Sequence, residues 1–440
     1  MADPRIYASR RDRVYERLGP GSVLVLPAAP ELIVGGALEL RYRPDPDLYY
    51  LTGYPEPEAV AVLSPSNDEA PFTLFVRPRD PDRERWSGAR GGVEAAKERY
   101  GADEAYPIAE LGERLPALLR GAETIYFPLG SGRDDVEAIV HRVLAGARKS
   151  RQRTGRGPRA LSDPGVLLDE MRLIKDEHEL SLLREAGRIT VEAFRDAVAH
   201  IRPDAGEWEV EAALEAAFRR RGADGVAFAS IVASGPNATV LHYIQNDRTM
   251  RAGELILIDA GACWHGYNGD ISRTFPVSGR FSALQREVYD AVLAGHAAAL
   301  AAVRPGATTA EVHDAAVRVL VDAMLELGLI EGDRDEVLET QTLYKPYFPH
   351  QTSHWLGLDT HDVGLYAIRG EPRPLEPGMV LTVEPGLYIP LDSPGARPEL
   401  LGIGVRIEDA VVVTEGGYEL LTPGFPTAAD EIEALFDGIA

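Results

Sequence analysis

Cysteine is almost absent from this 440-residue chain, and its single occurrence, Cys263, excludes an internal disulfide. Disulfides are rare where thiols are kept reduced, so we expect a cytoplasmic protein. No apolar stretch approaches the roughly 18 residues of a membrane helix, and the first residues include no apolar run typical of a signal peptide. These absences argue against a membrane protein and against a disulfide-stabilised secreted domain.

Basic residues are also few, with 46 Lys and Arg against 69 Asp and Glu, which gives a net charge of −23. Such a charge argues against nucleic acid or an anionic membrane as the partner, and its main effect is expected to be solubility. The length exceeds the ~250–300 residues at which single cores stop growing, so we expect two domains.

Short apolar segments alternate with helical ones in the first part of the chain. This alternation predicts an α/β domain with a mainly internal sheet. The predicted strands are 22–28, 59–65, 72–78 and 124–130, and the predicted helices are 93–101 and 108–121. A basic stretch rich in Gly and Pro at 148–165 predicts an exposed loop. We place the boundary near residue 170, giving domains 1–170 and 171–440.

The second part begins with helices and ends with strands mixed with long loops, which predicts an α+β domain. A strong amphipathic helix follows residue 175, with Leu182, Ala186, Ile189, Ala193 and Ala197 on one stripe. Two capping boxes predict further helix starts, at Ser282 with Gln285 and at Thr308 with Glu311. The predicted strands are 254–261, 379–386 and 405–417.

Acidic residues close apolar strands in this second domain. Asp259 ends the run Leu255–Ile258, and Asp270 follows eleven residues later, after a turn-rich segment. A buried Asp is costly unless it is paired or bound to a metal. If 254–259 and 270–275 are neighbouring strands, both carboxylates can face one point. Either Asp taken alone would more often belong to a turn or a helix cap.

Three of the ten histidines fall within twelve residues, at His350, His354 and His361. The spacing, with Gly357 and Gly364 between and after them, fits a loop wrapped around a site better than a helix face. A lone histidine would more often be structural, but three together indicate a functional segment.

Two glutamates complete the pattern. Glu384 closes another apolar strand and is followed by Pro-Gly, while Glu408 lies on the same face of its predicted strand as Arg406. The alternative for Glu408 is an exposed ion pair with Arg406, which would contribute only ~0–1 kcal/mol. Carboxylates with one imidazole are ligands that Mn, Co or Zn accept, and two such ions can activate water for hydrolysis.

Four segments together resemble the proline-specific peptidases of the pita-bread metallopeptidase family M24, above all the aminopeptidase P group. They are LIDAGACWHGYNGDISRTFP, HQTSHWLGLDTHDVG, VLTVEPGLYI and GIGVRIEDAVVVT. LYYLTGYPEPEAVAVL is similar to the N-terminal domain of the creatinase and aminopeptidase P type. The resemblance implies an α/β N-terminal domain for oligomerisation and substrate access, followed by an α+β pita-bread catalytic domain.

By that resemblance the metal ligands are Asp259, Asp270, His354, Glu384 and Glu408. Asp270 and Glu408 would contact both of two divalent ions, which are usually Mn²⁺, with Co²⁺ or Zn²⁺ as alternatives.

The resemblance also assigns contacts with the substrate. His242 and His361 would bind or polarise it near the scissile bond, and His350 would line the pocket for the proline ring. Arg406 and Tyr388 resemble pocket residues that support this site. Gln351-Thr352 stands where many relatives carry Gly-Leu, a departure that bears on the shape of the proline pocket.

The implied reaction is hydrolysis of the first peptide bond in peptides with proline at position two, by a hydroxide bridging two metal ions. Glu384 would take and return the proton, with His361 and His242 as the other catalytic residues. The resemblance also implies a homodimer or homotetramer, in which Trp86 resembles an aromatic residue lent to a neighbouring subunit's site.

Three alternatives stay open. An Xaa-Pro dipeptidase shares the five ligands, a methionine aminopeptidase shares them without the N-terminal domain, and a binding protein on the same fold would lack catalysis.

Overall fold

The computed structural model describes residues 3–36 and 38–437, and their packing divides the chain into two compact units. One unit ends at Met171 and the other begins at Arg172. Within the described residues, no helix is both long and apolar enough to cross a membrane.

The first unit contains the helices α1 Pro4–Arg17, α2 Pro46–Thr52, α3 Pro81–Ser87, α4 Gly92–Glu98, α5 Leu111–Leu119 and α6 Asp134–Thr154, with α7 Gly165–Leu173 at its end. Its strands are β1 Ser22–Pro27, β2 Ile33–Val34, β3 Leu38–Glu39, β4 Val60–Leu63, β5 Phe72–Val76, β6 Glu104–Pro107, β7 Thr124–Tyr126 and β8 Ala160–Ser162.

Six of these strands form one mixed sheet in the order β6-β5-β4-β1-β7-β8. β1 lies at its centre, antiparallel to β4 and parallel to β7. Every residue of β1, β4 and β5 is buried, as a sheet covered on both faces requires. The predicted α/β class of this unit is confirmed, and the four predicted strands are β1, β4, β5 and β7.

The prediction of a loop over 148–165 is wrong in two places. Helix α6 continues to Thr154 and is capped by Gly155, which takes the left-handed conformation (φ 71°). Residues 160–162 form β8. Arg and Lys are good helix formers, and positive charge is favourable near a helix C-terminus. A basic composition is therefore compatible with a helix end whose side chains face solvent.

The second unit contains the helices α8 Glu177–Val198, α9 Glu207–Arg220, α10 Ala283–Ala302, α11 Thr309–Glu326, α12 Arg334–Thr340 and α13 Ala429–Ala434. Its strands are β9 Gly225–Val226, β10 Ile231–Ser234, β11 Leu255–Ala260, β12 Ala262–Trp264, β13 Tyr267–Asn268, β14 Ile271–Pro276, β15 Ala367–Ile368, β16 Glu371–Pro372, β17 Val380–Val383, β18 Gly386–Ile389, β19 Ile403–Arg406, β20 Asp409–Thr414 and β21 Gly417–Leu420.

The strands of this unit form several small antiparallel sheets, among them β10-β11-β14, β17-β20-β21 and β18-β19. The helices bury apolar faces in the same core as β11 and β14. On α8, the predicted stripe is buried except for Leu182, which is half-buried. Both predicted capping boxes are formed, at Ser282 and at Thr308. The predicted α+β class is confirmed.

The single strand predicted over 405–417 is wrong, because the chain changes partners at Ile407 and Glu408. β19 pairs with β18, and β20 pairs with β17. Between them the Glu408 amide donates to the carbonyl of Ser272 on β14 (3.0 Å). The break carries Glu408 onto the edge of β14, which places its carboxylate beside the ends of β11 and β14.

Candidate metal centre

The neighbouring strands β11 and β14 bring two aspartates to one end of a sheet. They pair antiparallel, with Asp259 opposite Ser272, and Asp270 lies two residues before Ser272. This confirms the predicted neighbourhood of the two segments. Because the residues at the end of a strand pair are fixed by the ladder, both carboxylates sit on a rigid part of the scaffold.

Three side chains bring potential ligand atoms within 4.8 Å of one another, namely Asp270, His354 and Glu408. Glu384 joins them, since its Oε1 lies 3.5 Å from His354 Nε2, and Asp270 Oδ2 lies 3.6 Å from the same nitrogen. Ligand atoms about 2.1 Å from one tetrahedral ion lie about 3.4 Å apart. The observed separations therefore suit atoms that share a cation better than atoms that share a proton.

Asp259 lies beside this group and has one oxygen already in use. Its Oδ2 accepts from Arg406 Nη2 at 2.7 Å. Its Oδ1 is buried and has no hydrogen-bond partner among the described residues. A buried carboxylate oxygen without a partner is costly, and a bound cation is one way to satisfy it.

The tautomer of His354 leaves one ring nitrogen for a ligand role. Its Nδ1 lies 2.9 Å from the carbonyl of Trp355, which can only accept, so Nδ1 carries the proton. Nε2 then presents its lone pair to the carboxylates. Burial lowers the pKa of His354, which keeps the ring neutral. A neutral imidazole facing carboxylates is the arrangement expected of a metal ligand.

Burial and mutual repulsion raise the pKa values of the carboxyl groups. Burial, then the charges of Glu408 and Asp259, raises the pKa of Asp270 well above its usual range. Burial raises the pKa of Glu384 to about 8, against the opposing effect of Arg406. Burial and then the charge of Glu384 raise the pKa of Glu408. Divalent cations would remove this repulsion, so the donor set fits a metal site.

Arg406 connects the acidic cluster to its surroundings. In addition to Asp259, its Nε donates to Ser272 Oγ (2.9 Å) and its Nη1 to Tyr388 Oη (2.9 Å). Ser272 Oγ donates in turn to Glu408 Oε2 at 2.7 Å. Both Arg406 and Glu408 are buried, so the alternative of an exposed pair between them is wrong.

His350 ends a chain of hydrogen bonds that begins at Arg406. Tyr388 Oη accepts from Arg406 and lies 2.8 Å from His350 Nε2, while His350 Nδ1 lies 2.8 Å from the carbonyl of Gln351. Burial lowers the pKa of His350 to about 3, so the ring is neutral and accepts from Tyr388. The ring of Phe348 packs edge-on against it, with centroids 4.9 Å apart.

The remaining two histidines predicted for the site are exposed. The His361 ring packs edge-on against His354, with centroids 4.3 Å apart. Burial, then the neighbouring rings of His354 and His242, lowers the pKa of His361. His242 also contributes to the lowered pKa of His350. The structure thus packs His361 against His354 and places His242 close enough to influence the pKa values of His350 and His361.

Sequence reasoning missed the residues that hold the site in place. Ser272 and Thr382 are fully buried, and Thr382 Oγ1 accepts from the His354 amide (3.1 Å). Glu207 is also fully buried and accepts from Ser234 and from Tyr243, the residue after His242. No local pattern marks such residues, because the partners of Glu207 lie 27 to 41 positions away along the chain.

Comparison with known proteins agrees with this geometry. Residues 181–415 match the metallopeptidase family M24, and residues 7–126 match the aminopeptidase P N-terminal domain. The Xaa-Pro aminopeptidase of Escherichia coli strain K12 is 42% identical over 430 residues, which cover 98% of this chain and 97% of that protein.

Two solved structures are similar over nearly their whole length. Aminopeptidase PepP of Pseudomonas aeruginosa has a TM-score of 0.95 at 43% identity, covering 100% of this chain and 99% of that one. The zinc-substituted aminopeptidase P of Escherichia coli in complex with product has a TM-score of 0.95 at 41% identity, with the same coverage. The chain therefore belongs to metallopeptidase family M24, among the Xaa-Pro aminopeptidases that carry an aminopeptidase P N-terminal domain.

Proposed function

We propose that this enzyme removes the N-terminal residue from peptides with proline at position two, using two divalent metal ions. The observation that carries the proposal is the convergence of Asp270, His354, Glu384 and Glu408 beside Asp259 Oδ1, which has no hydrogen-bond partner in the part of the chain that the structure describes. The similarity to Xaa-Pro aminopeptidases over nearly the whole chain supports the substrate class.

The ligands in this proposal are Asp259, Asp270, His354, Glu384 and Glu408. Arg406 offsets one of the four negative charges of the carboxylates, since it pairs with Asp259 (2.7 Å). One divalent ion would still leave a buried excess of negative charge, whereas two ions together with one hydroxide would leave the cluster neutral. Mostly oxygen ligands favour Mn²⁺, and Co²⁺ or Zn²⁺ are the alternatives. When bound, such ions lower the pKa of a coordinated water towards ~7 and polarise a carbonyl oxygen.

Glu384 has the position of a proton carrier. Its Oε1 lies 3.5 Å from His354 Nε2, and its Oε2 lies 3.8 Å from His350 Nδ1. Thr382 Oγ1 donates to Oε1 at 3.3 Å, which holds the carboxylate between the two rings. From there Glu384 can accept a proton from the attacking water and return it to the leaving proline nitrogen.

The other three histidines of the site would contact the substrate in two places, the scissile carbonyl and the proline ring. His361 and His242 are the exposed donors beside the cluster, and either ring can hydrogen-bond to the carbonyl oxygen as negative charge develops on it. His350 is held neutral by burial and stands between Tyr388 and Phe348. We assign the rings of His350, Tyr388 and Phe348 to the wall of the pocket that receives the proline ring.

A peptide panel tests the proposal. With Mn²⁺ present, we expect release of the first residue from Xaa-Pro-Yaa peptides, and a kcat/KM at least ~10–200-fold lower when alanine replaces proline. The panel should include Xaa-Pro dipeptides, longer peptides, and parallel series with Co²⁺ and Zn²⁺. Cleavage confined to dipeptides would identify a dipeptidase instead, and absence of both hydrolysis and metal binding would identify a binding protein.

We further propose a homodimer or homotetramer in which the first unit supplies contacts. The β2–β3 hairpin exposes five apolar side chains, each between 46% and 62% exposed, which are Leu32, Ile33, Val34, Leu38 and Leu40. Contiguous exposed apolar residues mark interaction surfaces. Trp86 is 92% exposed, so it is available to a second subunit.

The double variant Ile33→Asp with Leu38→Asp should shift the protein to a smaller species, because two buried charges destabilise an apolar interface. Light scattering coupled to size-exclusion chromatography measures the mass. Leu129→Asp is the matched control, since Leu129 is 57% exposed on the same unit but outside the hairpin. An unchanged mass for the double variant, or an equal change for the control, would contradict the assignment of the hairpin.

A further inference from the structure

A buried cluster of charges lies outside the proposed ligand set. Lys175 Nζ donates to Asp362 Oδ2 at 2.8 Å, and Arg172 Nη2 donates to Asp362 Oδ1 at 2.6 Å. Arg172 also contacts Asp359 Oδ2 at 2.7 Å. The side chains of Lys175 and Asp362 are each only 1% exposed, and that of Arg172 is 4% exposed. Burial of three charged groups is costly, and apolar residues would often be at least as stable.

The cluster fastens the end of a closed loop that joins two histidines of the site. The loop runs from Trp355, the residue after His354, to Asp362. Its two ends are joined by a hydrogen bond from the Asp362 amide to the carbonyl of Trp355 (2.9 Å). His361 immediately precedes Asp362, and its ring rests against His354 with centroids 4.3 Å apart. The backbone at Asp362 therefore determines where the exposed His361 side chain begins.

Close packing of Gly357 leaves the loop little freedom to move. A Cβ at this position would lie 2.1 Å from Asp362 Oδ2 and 3.1 Å from Lys175 Cε. Asn268 holds the same turn from the other side, with its amide donating to the carbonyl of Gly357 (3.0 Å) and its side chain to that of Leu358 (3.2 Å). The Lys175–Asp362 ion pair thus packs against the backbone of the loop at Gly357.

We propose that Lys175, Arg172 and Asp362 form a positioning element for His361, which orients that ring towards the scissile carbonyl. This inference rests on the proposed function, in which His361 acts on the substrate. The effect belongs to the chemical step more than to substrate affinity, since displacement of a catalytic group by about 1 Å can lower the rate by 10²-fold.

A double-mutant cycle with His361 tests the proposal in the manganese-loaded full-length enzyme. Lys175→Met retains Arg172 as a partner for Asp362, and we expect kcat to fall at least about tenfold with a smaller change in KM. In a His361→Ala background the same change should alter kcat by less than about twofold, because the ring that it positions is gone.

Two further variants provide a control and a milder perturbation of the cluster. Arg184→Met is the control, because Arg184 pairs with Glu419 and Glu177, neither of which belongs to the loop, so its kcat should stay within about twofold of wild type. Asp359→Asn, at a half-exposed position, perturbs Arg172 more mildly and covers the case in which Lys175→Met does not fold. It should lower kcat only where His361 is present.

The outcomes separate the two proposals. If His361→Ala retains wild-type kcat/KM, the proposed role of His361 fails and the positioning role falls with it. If His361→Ala is impaired but Lys175→Met lowers kcat equally in both backgrounds, only the positioning role is overturned. Loss of bound manganese in Lys175→Met would also overturn the positioning role, since the cluster would then support the metal ligand His354 and not His361.

Discussion

Replacement of Glu384 by glutamine should lower kcat by about 10²–10⁴-fold, the usual contribution of a general acid–base group. Glutamine keeps the shape of the side chain and its hydrogen bond with Thr382 (3.3 Å) but cannot carry a proton between water and the leaving nitrogen. In the protein without metal, burial raises the pKa of Glu384 to about 8. Bound cations would lower that pKa, which leaves the carboxylate charged and able to accept a proton from water.

Glu384 is also a proposed ligand, so loss of metal must be separated from loss of proton transfer. We would measure kcat on an Xaa-Pro-Yaa peptide together with bound metal by elemental analysis, at manganese concentrations that saturate the variant. Glu371→Gln, at an exposed glutamate of the same unit, is the control and should be silent. A variant that holds its metal and turns over at nearly the wild-type rate would remove Glu384 from the mechanism.

The acids and histidines of the site were accessible to sequence reasoning because each breaks a local pattern. Asp259 and Glu384 each close an apolar strand, and His350, His354 and His361 crowd one short segment. A buried charge at a strand end demands a partner wherever the rest of the chain goes. The local patterns therefore pointed to a site, and strand pairing then brought Asp259 on β11 close to Asp270, the residue before β14.

The supporting contacts could not be read in the same way, because their partners are distant along the chain. Arg406 bonds to Asp259 across 147 positions and to Ser272 across 134. Nothing near Arg406 in the sequence distinguishes a residue with these buried contacts from one that forms an exposed ion pair with Glu408, the alternative considered above. The pairing of Lys175 with Asp362 spans 187 positions and is hidden for the same reason.

The fold shows the same division between local and distant information. Hydrophobic runs identified β1, β4, β5 and β7, since a strand covered on both faces is apolar throughout. The break between β19 and β20 escaped detection, because 405–414 contains no Gly or Pro to mark it, and the chain changes partners only through the bond from Glu408 to Ser272 on β14. Changes of strand partner depend on tertiary contacts that periodicity does not record.

Removal of divalent ions should abolish hydrolysis and should lower the melting temperature more at pH 8 than at pH 6. Without metal, the pKa of Glu384 in the folded protein is about 8, above the ordinary value of 4.5. A group with a raised folded pKa stabilises the fold fully below its unfolded pKa, and this contribution is lost as pH rises through the folded value. The metal-free protein therefore loses stability between pH 6 and pH 8.

Bound manganese replaces those protons, and its affinity rises with pH because the carboxylates must be deprotonated to bind. At 100 times the dissociation constant, one ion adds about 2.7 kcal/mol of stability. For a unit of the size of Arg172–Ala440, that corresponds to roughly 5 °C. Calorimetry of chelator-treated protein, with and without added Mn²⁺ at both pH values, measures the difference.

Asp270→Asn provides the control for this pH dependence, since it removes one of the repelling carboxylates from the cluster. The variant without metal should lose less stability between pH 6 and pH 8 than wild type does, and should gain less from manganese. Equal melting temperatures with and without manganese at both pH values would mean that these acids hold no cation. The buried carboxyl groups would then have to be stabilised by protons alone, and hydrolysis would need another source of activated water.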